Sequence, residues 1–319
     1  MTERTVKFTD RFMFREDIPI SHIHGISLLS YRDELCSKLN RQIGLLLESK
    51  KPKKQNTNRG RLDTRLAYRM PFNDTIFSKH KGVPSSDTTI VFLVDGSGSM
   101  DTNEDCGGQY FSRIQLCSAV CSAFAKSVST VLKDQIKVEV MVKSAPTMRG
   151  RGNGNGMEGV RGGFVTLTRV FSNNKTKKKD FDKLLQLQTN CPLGESSLDK
   201  GECFSIGSYT AEYSVLPCLM DWAKQNITTR NMVVFNLTDG ESYAHLGSDG
   251  DFVFTNKNTG ELKRKYLRGV PNMTLLVGND VSQHQARKIY GQDLVVSDDS
   301  CFVTPMIKNL INIIDGEVN

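Results

Sequence analysis

The stretch DGSGS brings together three side chains that carry oxygen atoms, Asp95, Ser97 and Ser99, at alternate positions. The glycines between them allow a tight turn, so one carboxylate and two hydroxyls can converge from a single loop. A second carboxylate, Asp239, stands in the later stretch NLTDGES. Mg²⁺ prefers octahedral oxygen coordination at about 2.1 Å and keeps several waters, which suits directly bound hydroxyls and carboxylates held through water. These residues predict a site for Mg²⁺ or another divalent cation such as Mn²⁺, with a metal-free Gly/Ser turn as the alternative.

Both carboxylates follow continuous apolar runs, TTIVFLV and MVVFNL, which is the pattern of strands buried on both faces. Helical patterns alternate with such runs along the chain: helices near 112–132, 181–187, 210–224, 282–290 and 301–314, and further strands near 136–142, 164–171, 273–280 and 294–297. This alternation predicts a doubly wound α/β fold, with a mostly parallel sheet and helices on both faces. Ligands in such sheets bind at the carboxyl ends of the strands, where both motifs lie.

Three segments follow from the pattern. Residues 1–50 form a predicted helical extension, because apolar positions recur at helical spacing from Ile23 to Glu48. Residues 51–85 form a basic linker with a short helix from Leu62 to Tyr68, and residues 86–319 form the main domain. Within that domain, FVFTNKNTGELKRKYL predicts an inserted β-hairpin with its turn at Asn258 to Gly260.

The positive charge is concentrated at the amino-terminal end. The net charge is +7, and residues 1–85 hold 17 Lys and Arg against 9 Asp and Glu. A run from Lys50 to Arg65, together with the glycine- and arginine-rich stretch from Met148 to Gly163, allows a nucleic-acid-binding protein as an alternative. Charge runs of this size are more often solvated faces.

Other features narrow the class of protein. The amino terminus lacks an apolar signal region and no uncharged apolar run approaches 20 residues, so we expect a cytoplasmic protein with no membrane segment, in the host cytoplasm if virus-encoded. The eight cysteines show no CxxC pair, which favours reduced structural thiols. The sequence contains neither GxxxxGK[ST] nor HExxH, so we expect it not to be an enzyme by itself.

The oxygen-rich stretches resemble the metal-ion-dependent adhesion site of von Willebrand factor A domains. In that family DxSxS ends the first strand, a threonine comes from a second loop and an aspartate from a third. The first and third elements match at Asp95 to Ser99 and at Asp239. The resemblance implies a middle hydroxyl from FSIGSYTAEYSVL, supplied either by Ser208, which follows a glycine, or by Thr210, whose alternative role is to cap the next helix.

The resemblance also implies a function. Direct ligands in the family are mostly neutral, so the cation stays electrophilic and attracts a carboxylate from another protein. Such a site is a docking point for a partner protein and not a catalyst.

Further stretches resemble the carboxyl-terminal part of the T subunit of aerobic cobaltochelatase: RGRLDTRLAYR from Arg59 to Arg69, VGNDVSQHQARKIYG from Val277 to Gly291, and the pair Ala211 and Glu212. The resemblance implies a non-catalytic subunit that works beside a MoxR-type AAA+ ATPase. Unlike that subunit, this chain has no long acidic region before the domain, and it carries a glycine-rich loop. A genuine cobaltochelatase subunit, which inserts cobalt into a corrin, is therefore kept as an alternative.

Overall fold

The structure is a computed structural model of the 319-residue chain. It describes the following residues: 7–10, 20–49, 55–57, 61–62, 77–79, 88–106, 108–131, 136–144, 166–173, 181–182, 184–185, 187, 215–229, 231–240, 245–246, 252–253, 259–278, 287, 290 and 294–296. The described strands are β1 (Lys7–Asp10), β2 (Gln55–Thr57), β3 (Arg61–Leu62), β4 (Phe77–Lys79), β5 (Thr88–Asp95), β6 (Asn103–Asp105), β7 (Tyr110–Ser112), β8 (Ile136–Ser144), β9 (Thr166–Ser172), β10 (Asn231–Thr238), β11 (His245–Leu246), β12 (Phe252–Val253), β13 (Asn272–Leu276) and β14 (Leu294–Val296). The described helices are α1 (Ile20–Ser49), α2 (Arg113–Val131), α3 (Leu216–Asn226) and α4 (Thr259–Tyr266).

Seven of these strands form the main sheet, in the order β1-β9-β8-β5-β10-β13-β14. The five strands from β8 to β14 in this order are mutually parallel, whereas β9 runs antiparallel to β8. The connection from β5 to its neighbour β8 passes through α2, as parallel pairing requires. The predicted α/β class with a mostly parallel sheet is confirmed.

The central strand β5 is buried on both faces because its side chains alternate between two cores. Ile90 and Phe92 pack into the core that contains α1 and α2. Val91 and Leu93 pack into the core that contains α3, with Trp222 among its residues. Helices therefore cover both faces of the sheet, and the end of β5 lies between the two layers.

The amino-terminal helix α1 packs directly on the main domain. Leu28, Leu35 and Leu39 are at most 1% exposed and belong to the same core as α2. Arg32, also buried, forms an ion pair with Asp182 and donates a 3.2 Å hydrogen bond to Ser122 Oγ of α2. The helix predicted over this segment is thus present, and its apolar positions face the core of the domain. The boundaries of the three predicted segments stay predictions.

One local prediction is wrong. The residues from Thr259 onward, predicted as the end of the turn and the second strand of a hairpin, instead form α4, because Leu262 and Tyr266 are spaced four apart and pack against the core beside α3. A hairpin does exist upstream, where β11 pairs with β12. Leu62, the first residue of the short helix predicted from Leu62 to Tyr68, lies in β3, which pairs with β4. The other residues of that helix lie outside the described residues, so the helix stays a prediction.

Helix α2 starts at a reciprocal cap. Ser112 N–H donates to Gln115 Oε1 at 2.9 Å, and Gln115 N–H donates to Ser112 Oγ at 3.4 Å, which is the arrangement of a capping box. Among the described helices, only α2 is long and apolar enough to cross a membrane, and 78% of that stretch is buried inside the protein, as in a core helix. The cap makes Arg113 the first helical residue and fixes it beside the end of β5.

Candidate metal centre

Asp95, the last residue of β5, forms a compact turn with Ser97 and Ser99 of the loop that follows. Ser97 N–H donates to Asp95 Oδ1 at 2.9 Å, and Gly96 N–H donates to the carbonyl of Lys143 on β8 at 2.9 Å. A short 3₁₀ turn, Gly98–Asp101, follows. The predicted convergence of alternate side chains is therefore a consequence of one tight turn that is bonded to the neighbouring strand.

The two seryl hydroxyls lie side by side. Ser97 Oγ and Ser99 Oγ are 3.0 Å apart and share a hydrogen bond. Two adjacent ligands of an octahedral Mg²⁺ at about 2.1 Å are also separated by about 3.0 Å. The pair is thus spaced as two neighbouring ligands of such an ion, and a cation would replace the shared hydrogen bond with two metal–oxygen bonds.

The end of β10 contributes a hydrogen bond to the Asp95 carboxylate. Thr238 Oγ1 donates to Asp95 Oδ2 at 2.9 Å and accepts a 3.2 Å hydrogen bond from Gly240 N–H. Gly240 has a φ of 93°, a conformation that favours glycine. Both carboxylate oxygens of Asp95 therefore accept hydrogen bonds from the protein, Oδ1 from the Ser97 N–H and Oδ2 from the Thr238 hydroxyl. Sequence reasoning did not assign this role to Thr238, although the residue precedes Asp239 directly.

Asp239 follows β10 and lies close to a buried cation. Arg113 Nη1 is 3.7 Å from Asp239 Oδ2, and Arg113 Nε is 2.7 Å from Glu104 Oε1 on β6. Asp239 is 1% exposed and Arg113 is 1% exposed. Sequence reasoning missed Arg113; the available signal was its position directly after the serine of a capping box.

The described residues of the site differ in how exposed they are. Asp95, Ser97 and Asp239 are buried, Ser99 is half-buried, and Gly98 is exposed. A ligand arriving from solvent would thus meet Ser99 first, while the carboxylates remain below the surface.

Cys117 and Cys121 of α2 are fully buried thiols. Burial raises the pKa of the Cys117 thiol well above its usual range; Cys121, Asp95 and Asp239 raise it further, whereas Arg113 lowers it. Burial also raises the pKa of Cys121. Thiolates are the form that binds metals, and both thiols belong to the hydrophobic core that contains α2.

The donor set contains hydroxyls as well as acids. Among the residues that the structure describes, no group of three or more His, Cys, Asp or Glu side chains is placed to hold a metal ion. A cation at this edge of the sheet would consequently depend on Ser97 and Ser99 in addition to the two aspartates. Ser208 and Thr210, the two predicted sources of the middle hydroxyl, lie outside the described residues.

Comparisons with known proteins return similar structures but no family. Neither a protein-family model nor a curated protein matches the chain. A von Willebrand factor type A protein from Catenulispora acidiphila is 14% identical with a TM-score of 0.39, over 70% of this chain and 42% of that one. The PilB minor pilin from Streptococcus sanguinis is 11% identical with a TM-score of 0.45, over 73% and 62%. The pilus adhesin SpaC from Lactobacillus rhamnosus GG is 16% identical with a TM-score of 0.43, over 71% and 30%.

The chain therefore spans less than two thirds of each of these three proteins. At such identities nothing about function follows from the likeness.

Proposed function

We propose that this chain is a non-catalytic docking protein that binds a divalent cation, preferably Mg²⁺, at the ends of β5 and β10. Through this cation it binds a carboxylate of a partner protein. The observation that carries the proposal is the pair of hydroxyls, Ser97 Oγ and Ser99 Oγ, at 3.0 Å. Hard oxygen ligands at this spacing suit Mg²⁺ or Mn²⁺.

Docking follows from the contacts that the carboxylates of Asp95 and Asp239 already make within the protein. The Asp95 carboxylate already accepts hydrogen bonds from Ser97 N–H and Thr238 Oγ1, which favours contact with the cation through water. Asp239 is shared with the Arg113 guanidinium at 3.7 Å. A cation bound directly by neutral hydroxyls stays under-compensated, so it attracts an anionic ligand at its open position.

Of the described residues at the site, Gly98 is exposed and Ser99 is half-buried, whereas Asp95, Ser97 and Asp239 are buried. A carboxylate on a protruding loop of another protein can reach a cation from the side of Gly98 and Ser99. The resemblance to the cobaltochelatase T subunit supports a MoxR-type AAA+ ATPase as that protein.

This function is tested by co-purification with a MoxR-type AAA+ ATPase in Mg²⁺ and in EDTA. We expect wild-type protein to retain the ATPase only with Mg²⁺, and Asp95→Ala and Ser99→Ala to lose it. Asp101→Ala is the matched control, because Asp101 is an exposed carboxylate of the same loop. Thermal unfolding in EDTA checks that each variant is folded. Binding that persists both in EDTA and in the Ser99→Ala protein would contradict the proposal.

A further inference from the structure

Arg113 is a fully buried cation beside the candidate metal centre. Its Nε lies 2.7 Å from Glu104 Oε1, and its Nη1 lies 3.7 Å from Asp239 Oδ2. Its backbone N–H donates to the carbonyl of Thr102 at 3.0 Å. The residue therefore links the turn after β5, the hairpin formed by β6 and β7, and the carboxylate at the end of β10.

The Arg113 guanidinium occupies the space that a side chain at position 278 would otherwise fill. Gly278, just after β13, has a φ of 94°, and a Cβ there would lie 2.4 Å from Arg113 Nε and 2.5 Å from its Cζ. Such distances are far below van der Waals contact, so a side chain at position 278 would displace the guanidinium from this place. Gly278 therefore forms part of the space that the Arg113 guanidinium fills.

We infer that Arg113 is the resident counter-ion of the metal centre, which compensates Asp239 in the metal-free protein and thereby lowers the affinity for the divalent cation. The inference rests on the proposed function. A buried carboxylate without a nearby positive charge is costly, so Arg113 stabilises the metal-free form. Once a divalent cation binds, the guanidinium faces a second positive charge and its contribution falls. By linkage, the charge of Arg113 must weaken cation binding.

Glu104 has the opposite effect on the affinity for the divalent cation, which it raises. Its side chain is 19% exposed and pairs with Arg113 from the hairpin, so it offsets part of the guanidinium charge. Removing that negative charge leaves Arg113 more repulsive toward a cation and weakens binding. A second buried cation, Lys143, stands opposite Asp95 in the register of β5 and β8, so the centre has further positive charge nearby and the balance is sensitive to either change.

The test is calorimetric titration of the full chain with Mn²⁺ after EDTA removal, using Arg113→Gln, Arg113→Lys and Glu104→Gln. We expect Arg113→Gln to bind Mn²⁺ about tenfold more tightly than wild type, since one nearby positive charge is lost. Glu104→Gln should bind several-fold more weakly, and Arg113→Lys should remain near wild type because it keeps the charge. The control Arg264→Gln removes the same charge from an exposed position on α4 and should leave Mn²⁺ binding unchanged.

Thermal unfolding in EDTA gives a second readout: Arg113→Gln should unfold at a lower temperature than wild type, and Mn²⁺ should restore more of its stability than it adds to wild type. If Arg113→Gln does not fold, the weaker binding of Glu104→Gln carries the test. The inference is overturned if wild type binds Mn²⁺ tightly but Arg113→Gln binds it more weakly, or if Glu104→Gln binds it as wild type does. Either result leaves the proposed function standing. No Mn²⁺ binding by wild type or any variant overturns both.

Discussion

Single residues at the centre divide into groups that present oxygen and groups that hold those oxygens in place. Ser97 and Ser99 present hydroxyls 3.0 Å apart. Thr238 holds Asp95 from the neighbouring strand by a 2.9 Å hydrogen bond. Because Asp95 is fully buried, each such bond reduces the cost of placing its charge below the surface.

One residue-scale prediction concerns the middle hydroxyl. A third direct hydroxyl ligand is expected from Ser208 or Thr210, so one alanine variant should lose affinity for Mn²⁺ by about tenfold or more, as the loss of one metal ligand implies. We favour Ser208→Ala as the affected variant. Calorimetric titration of both variants measures this, with Ser37→Ala on the exposed face of α1 as the control. Equal, unaltered affinity in both variants would show that neither residue is a ligand.

The sequence was sufficient to find the residues that follow the ends of strands. Asp95, Ser97, Ser99 and Asp239 were predicted because each follows a long apolar run, and the carboxyl ends of adjacent parallel strands meet at one edge. The bond from Thr238 to Asp95 joins residues 143 apart in the chain. Thr238 reaches Asp95 only in the observed register of β5 and β10, and no local sequence pattern specifies that register.

Arg113 was missed for a related reason. An arginine at the start of an amphipathic helix is ordinarily a solvated residue. Only the tertiary structure shows that the space beside it is enclosed by Glu104, Asp239 and a glycine at 278.

At the scale of elements, α1 behaves as part of the domain's core. Its residues Leu35 and Leu39 are buried against α2, and Lys126 of α2 reaches Asp33 of α1 at 3.3 Å. The helical spacing of the apolar residues predicted the helix, but a single sequence does not say what an apolar face packs against.

This packing gives an element-scale prediction. Leu39→Ala should lower the free energy of unfolding by about 2–5 kcal/mol, because it removes a fully buried side chain and leaves a cavity. Lys38→Ala, at an exposed neighbouring position, should change it by less than about 0.5 kcal/mol. Urea denaturation followed by the fluorescence of Trp222, which lies in the core on the other face of the sheet, reports on the whole domain. An unchanged midpoint in Leu39→Ala would mean that α1 is not part of the cooperative unit.

Helix α4 illustrates where element prediction failed. The dipeptide Thr259-Gly260 has the composition of a hairpin turn, yet these residues open a helix whose apolar positions reach the core beside α3. Turn composition is a local signal, and burial of Leu262 and Tyr266 together with α3 decides the outcome.

In the whole molecule, the candidate metal residues lie where two central strands of the main sheet end. The sheet is doubly wound, and its central strands β5 and β10 are adjacent and parallel. The turns that follow both strands therefore lie at the same edge. This arrangement was predictable from the alternation of apolar runs and helical segments, whereas the antiparallel β9 and the edge strand β1 were not, because edge pairing leaves little pattern in a single sequence.

Anomalous diffraction from crystals grown with Mn²⁺ shows whether Ser97 and Ser99 bind a divalent cation through their hydroxyls. We predict one strong anomalous peak at the manganese edge within bonding distance of both Ser97 Oγ and Ser99 Oγ. Asp95 and Asp239 should contact this ion through bound water. The Ser99→Ala protein, crystallised in the same way, should show a much weaker peak. Well-ordered crystals of the wild-type protein with no anomalous peak at these hydroxyls would show that Ser97 and Ser99 do not bind the cation.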